Sequence, residues 1–238
     1  MPNPDPTPDA VTAGSRRDDP RAAIPGDRRD DPGADAATAP APDPHAARPS
    51  GSKASVAPGD DPGIAQLIAF WLDAGPSRWF TKDAAFDAEF RRRFEALHFA
   101  AARRDLDAWA AAADGAMALV LLLDQFPRNA FRGTAHMFAT DPLARRVADR
   151  MIAAGFDLRV DARLRAFCYL PFQHSEILAD QHRSIDLNRP LDPSSLHWAE
   201  VHAEIVERFG RFPHRNPMLG RETTAEEAAF LAGGGFAG

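Results

Sequence analysis

The stretch RFGRFPHRNPMLGR, residues 208–221, carries four arginines, a histidine and an asparagine around two prolines and two glycines. A plain connection between helices does not need that much hydrogen-bonding capacity. A second stretch, DQFPRNAFRG at 124–133, repeats the order Phe-Pro, then Arg-Asn, then an arginine near a glycine. In both, a proline stops a helical run, and an asparagine that tolerates positive φ turns the chain. If the two turns lie at one end of a helical bundle, Arg128, Arg132, Arg215 and Arg221 converge, with Arg211, Gln125, Asn129, His214 and Asn216 beside them. Guanidinium groups in such a cluster suit a carboxylate or phosphate, because their paired N–H donors match its oxygens. The same arginines could instead bond the free carbonyls at helix ends. Asp124, four residues before Arg128, could also pair with it.

Two histidines add titratable groups. Projecting 173–187 as one helix puts His174, Ile177, Leu178, Gln181 and Ile185 on one face, so His174 and Gln181 fall on an apolar stripe. Glu176, Asp180 and Arg183 fall on another face and read as an exposed ion-pair row. In 193–209 the stripe is Trp198, Val201, Ile205 and Phe209, with His202 at its border and His197 pointing away. Buried polar groups need partners, so these positions are either a satisfied internal network or a site. His174, His202 and Glu176 are the candidates for acid/base chemistry, since an imidazole beside a carboxylate titrates near neutrality. The two imidazoles with Glu176 or Asp124 would also make a two-histidine, one-carboxylate metal set. No HExxH or Glu-x-x-His spacing supports it, and no metal site is assigned. His98 and His136 stand outside any motif.

The elements that must position these residues read as helices, because apolar residues recur at steps of three and four with no sustained alternation. GIAQLIAFWLDAG (63–75) is closed by Gly75, and 82–105 carries Phe86, Phe90, Phe94 and Leu97 as one buried stripe. Residues 106–126 become apolar all round, which predicts a central helix stopped by Pro127. In 140–156, Thr140 or Asp141 is the N-cap, Pro142 opens the first turn and Gly155 ends the helix. DARLRAFCYL leads up to Pro171. Asp192-Pro193 and Gly210 bracket the next helix. TAEEAAFLAG then starts from Thr223 or Thr224 with Glu226 or Glu227 three residues on, a capping-box pattern. Seven or eight antiparallel helices with short connections make an all-α domain.

Composition sets the outer limits. Thirteen of the 21 prolines lie within residues 1–62, which are also rich in Ala, Asp and Gly. That segment lacks the apolar surface to offset chain entropy and reads as a disordered tail, leaving 63–238 as the folded domain. The net charge of −6 falls mostly on the tail, so the nearly balanced body is not built for nucleic acid or an anionic membrane. Arginine supplies 26 of the 28 basic residues, with Lys53 and Lys82 the only lysines, a bias that genome composition could explain. A single Cys168, in the apolar RAFCYL, excludes an intrachain disulfide and reads as an inert buried thiol. The longest apolar run, AMALVLLL at 116–123, is too short to span a bilayer. With no apolar signal segment at the N-terminus, a cytoplasmic protein is expected.

The segments LLLDQFPRNAFRGT, LPFQHSE…DQ and RFGRFPHRNPMLGR resemble the domain-of-unknown-function 924 family of bacterial proteins, which has a tetratricopeptide-like (TPR-like) helical fold. FWLDAGPSRWF near the start and TAEEAAFL at the end extend the resemblance over essentially all of 63–238. It implies helical hairpins and marks Asp124, Gln125, Pro127, Arg128 and Asn129, then Pro171, His174, Ser175, Glu176 and Gln181. In the last third it marks His202, Phe209, Gly210, Arg211, Pro213, His214, Arg215, Asn216, Gly220 and Arg221. It implies no activity. No repeat at the roughly 34-residue period of a peptide-binding array is visible.

Two functions fit these residues. One is a small-molecule site for a carboxylate or phosphate, with His174 or His202 as base and Arg128 and Arg215 as clamp. The other is a scaffold that presents a groove to a protein segment, its polar motifs serving as internal network and caps. There is no Gly-rich phosphate loop, nucleophile elbow or cofactor fingerprint, so the cofactor is left unknown.

Overall fold

The computed structural model describes residues 59–236. The reading of 1–62 as a disordered tail lies, up to residue 58, outside the described residues. The rest is all-helical, with no strand among the described residues. The α-helices are α1 (Pro62–Ala74), α2 (Pro76–Trp79), α3 (Ala84–Ala102), α4 (Ala113–Val120), α5 (Phe126–Ala130) and α6 (Asp141–Ala153). They continue with α7 (Leu170–Gln173), α8 (Leu178–Asn188), α9 (Pro193–Phe209) and α10 (Ala225–Ala232).

The start and stop residues act as their chemistry dictates. Asp61, Asp83 and Asp192 cap α1, α3 and α9 by accepting backbone N–H bonds. Thr224 and Glu227 form the reciprocal capping box of α10. Gly210 ends α9 at φ 69, the left-handed region that costs any other residue steric strain. Helix α3 buries the expected Phe86, Phe90 and Phe94, and its stripe continues to His98. Phe90 packs edge-on against Phe126 with centroids 5.0 Å apart, which locks α3 to α5. The main core then runs through α1, α3, α4, α6 and the aromatic rings of 167–172. A smaller apolar cluster of Ile205, Val206 and Phe212 holds the C-terminal segment.

Several elements differ from the sequence reading. Residues 107–111 and 162–168 are 3₁₀ rather than α-helical, and Pro171 lies in the first turn of α7. Residues 173–187 are not one helix. The chain breaks after Gln173, leaving Ile177 and Leu178 largely exposed, and the buried face of α8 is the polar set Gln181, Ser184 and Asn188. On α9 the buried face is Ala199, His202, Ala203, Ile205 and Val206, while Trp198 is 46% exposed.

A further difference is at Pro127, which does not stop the central helix. Leu121–Gln125 form a π-helical turn, and the Phe126 amide bonds the carbonyl of Leu121, one residue further back than an α-helix allows. The extra residue lets the chain continue into α5 with Pro127 in its first turn. It also releases carbonyls. The Leu122 carbonyl, which an α-helix would pair with Phe126, accepts from His98 Nδ1 at 2.8 Å. The Leu123 carbonyl would look to residue 127, which is a proline with no N–H, and instead accepts the Thr140 hydroxyl at 2.6 Å. Thr140 therefore tethers the start of α6 to the turn that carries Asp124. Removing that hydroxyl by Thr140→Val keeps the shape but leaves a buried carbonyl unpaired. The substitution should cost about 1–3 kcal/mol in urea unfolding, and an unchanged midpoint would show that the tether carries no load.

Candidate functional site

The π turn sends two consecutive polar side chains, Asp124 and Gln125, into the interior. Asp124 is fully buried. Its Oδ1 accepts the Nδ1–H of His174 at 2.8 Å and lies 3.2 Å from Arg128 Nη1. Its Oδ2 accepts from Gln125 at 2.6 Å. Arg128 donates back to the Asp124 carbonyl at 2.8 Å and forks onto both carboxylate oxygens of Asp141 at 2.8 and 3.0 Å. Asp141, the first residue of α6, also faces Arg215, whose Nη1 lies 3.6 Å away. A polar chain thus runs from the His174 imidazole through four groups of alternating charge, Asp124, Arg128, Asp141 and Arg215.

Arg215 differs from the other arginines of its segment. Its guanidinium is sandwiched over the rings of Phe138 and Phe212, at 4.6 and 4.4 Å from their centroids. It is 6% exposed, its Nε has no partner, and no hydrogen bond reaches its side chain among the described residues. By contrast Arg211 forks onto Glu227, Arg221 forks onto Glu176, and Arg132 bonds Asp87 and Asn129. The two Arg-Asn turns therefore meet through Arg128 and Arg215, not through all four arginines.

These groups line a cavity of about 490 Å³. Its wall includes Gln125, Arg128, Asn129, Arg132, Gln173, His174, His202, His214 and Arg215, together with apolar groups from Trp79 to Phe236. His174 and His202 face one another with ring centroids 6.3 Å apart. His202 donates Nδ1–H to the Trp198 carbonyl at 2.7 Å, so its Nε2 carries the lone pair. His174 is oriented the same way by Asp124, and neither Nε2 has a hydrogen-bond partner among the described residues.

The remaining expected site residues sit elsewhere. Glu176, a candidate for acid/base chemistry, does not line the cavity. It accepts the Phe212 amide and both arms of Arg221, a clamp that fixes the 208–221 segment, and it is not part of an exposed row. Asp180 pairs with Arg145, and Arg183 with Asp149. Gln181 is buried and donates to the backbone carbonyls of Gln173 and Ser175, holding the break that places His174. Asn216 donates to Glu227 and Thr223. Asp141 was legible only as a possible helix cap, yet it joins the two arginines. Trp198 read as core and is part of the cavity wall instead. His98 and His136, without motif, meet at 3.0 Å through their Nε2 atoms in a phenylalanine-rich pocket beneath the π turn.

The family model described as "Bacterial protein of unknown function (DUF924)" matches residues 67–235. The chain belongs to this family. A solved structure of a protein of unknown function from Agrobacterium tumefaciens is similar at 60% identity and a TM-score of 0.69. The similarity covers 71% of this chain and 96% of that one. No curated protein matches the chain at a significant level. No helix among the described residues is long and apolar enough to cross a membrane.

The electrostatics of this DUF924 member follow from burial. Burial pushes the Asp124 carboxyl up, but Arg128 and then His174 outweigh it and hold the group ionised, well below the usual carboxylate range. Burial and then Arg128 push His174 down, against the pull of Asp124, so the imidazole is neutral at pH 7. Burial and the neighbouring His174 take His202 down to about 3, and burial with Arg215 takes His214 to about 4. Burial and then Arg128 lower Arg215 to about 10, which still leaves it charged.

For His202 and His214 the folded values lie below the 6.5 of the free side chain, so the unfolded chain takes up protons first. The stability their neutral forms contribute is complete above about pH 6.5 and is lost as pH falls toward 4 and 3. Urea unfolding from pH 7 to 4.5 should show a steady loss of stability, and His214→Gln should flatten part of that slope. A profile that is level over this interval would contradict the burial of these rings.

Proposed function

We propose that this cavity binds a small anionic molecule, a carboxylate or phosphate, with Arg215 as its anchor and His174 as an acid/base group acting on it. The observation that carries the reading is Arg215: a buried, charged guanidinium on a cavity wall with no hydrogen-bond acceptor of its own. Leaving such donors unmet costs several kcal/mol, and an anion in the cavity satisfies them while the Phe138 and Phe212 rings hold the fork in place. Arg128 supports the same site from behind, since its Nη groups already donate to Asp124 and Asp141.

His174 suits proton transfer better than His202. Asp124 fixes the Nδ1–H tautomer and stabilises the imidazolium when Nε2 takes a proton, whereas His202 has only a backbone carbonyl behind it.

A thermal-shift series with inorganic phosphate, acetate and succinate tests the reading. At least one of these anions should raise the melting temperature of the wild-type chain, and Arg215→Ala should abolish the response while circular dichroism shows the helices intact. His174→Gln should retain binding and remove its dependence on pH. Equal responses from the wild type and Arg215→Ala would defeat the assignment, as would none from either.

A further inference from the structure

The cavity also constrains the ligand's charge and body, an inference that rests on the anion-site reading. The charges linked around the cavity are two arginines, Arg128 and Arg215, against two carboxylates, Asp124 and Asp141, while Arg132 on the wall is already paired with Asp87. His174, His202 and His214 face the same space from the break after α7, from α9 and from the turn after Phe212, and they add no charge while neutral. Of the three arginines on the cavity wall, Arg128 and Arg132 are hydrogen-bonded to neighbouring carboxylates, whereas the Arg215 side chain makes no hydrogen bond among the described residues, and one fork matches one carboxylate. A phosphate dianion would set a second negative charge beside Asp141 with no further buried cation to meet it. Lys82 also borders the cavity, but its side chain is exposed and its charge is screened by water.

Much of the remaining wall is apolar. Trp79 and Phe80 contribute from α2 and its end, Leu170 from α7, Trp198 from α9 and Phe236 from the C-terminal segment. Phe80 is 72% exposed and Trp198 46% exposed, so two of the largest apolar side chains on the molecule border this one cavity. Phe236 already lays its ring against His202 at 4.6 Å and His214 at 5.3 Å, showing that an aromatic body fits beside the imidazoles. The volume of about 490 Å³ lies in the range of small-molecule sites and exceeds what a bare anion fills.

We propose that the ligand is a monocarboxylate with an aromatic or bulky apolar body, its carboxylate on Arg215 and its body against Trp198, Phe80 and Leu170.

Isothermal titration calorimetry of the full chain with four probes tests this: 3-phenylpropionate, 3-phenylpropan-1-ol, propionate and inorganic phosphate. The aryl acid should bind at least about tenfold more tightly than the alcohol, which lacks the charge, and than propionate, which lacks the ring. Phosphate should be the weaker anion. Trp198→Ala, at a half-exposed position outside the apolar core, should weaken 3-phenylpropionate about tenfold and leave propionate unchanged. If propionate or phosphate binds as well as the aryl acid, or Trp198→Ala affects the probes alike, this inference is overturned while the anion site stands. If no anion binds the wild type, both readings fall together.

Discussion

A carboxylate with no exposure to water must be surrounded by donors and opposite charge, or the several kcal/mol lost on desolvation go unreturned. Asp124 meets that requirement with one imidazole, one guanidinium and one amide, each from a different position along the chain. Those partners are themselves tied down. Arg128 spans to Asp141, Asp141 reaches toward Arg215, and His174 sits at the break between α7 and α8. Because the carboxylate must stay ionised, the start of α6, the 174–177 connection and the central helix are held in one arrangement. The same constraint shapes the cavity, for it orients His174 and draws Arg128 inward.

The π turn is what brings Asp124 to that place. A regular helix through 121–130 would have met Pro127 with a missing N–H and an unanswered carbonyl. Inserting one residue moves the mismatch into Leu121–Gln125, where His98 and Thr140 take up the two released carbonyls. The local irregularity is thus satisfied by side chains from α3 and the residue before α6. Asp124 and Gln125 both point inward as a result, an arrangement that two adjacent residues on an ordinary amphipathic helix do not share. The apolar core and the polar chain of charges depend on the same five residues.

Much of the helical frame was legible, because caps and periodicity are local. Asp83, Asp192, Thr224 and Gly210 mark their helix ends by chemistry that needs no distant partner. The Phe86, Phe90 and Phe94 stripe follows from spacing alone. Reading failed where a residue's role was set from far away. The 173–187 segment has helical spacing throughout, yet Gln181 folds back to bond the carbonyls of Gln173 and Ser175 and stabilises a break there. Glu176 looked like a candidate acid because it neighbours His174 in sequence. Its actual partners are Arg221 and the Phe212 amide, more than thirty residues on.

The sequence by itself determined an all-helical chain, the positions of most helix ends and the set of polar residues that had to find partners in the interior. It also paired the two Arg-Asn turns. Only the tertiary structure decided that Arg128 and Arg215 meet across Asp141 while Arg132, Arg211 and Arg221 are spent on Asp87, Glu227 and Glu176. The physical reason is that an arginine's chemistry is the same in every context. Whether it closes a salt bridge or is left with open donors on a cavity wall depends on which carboxylate the fold brings within about 3 Å.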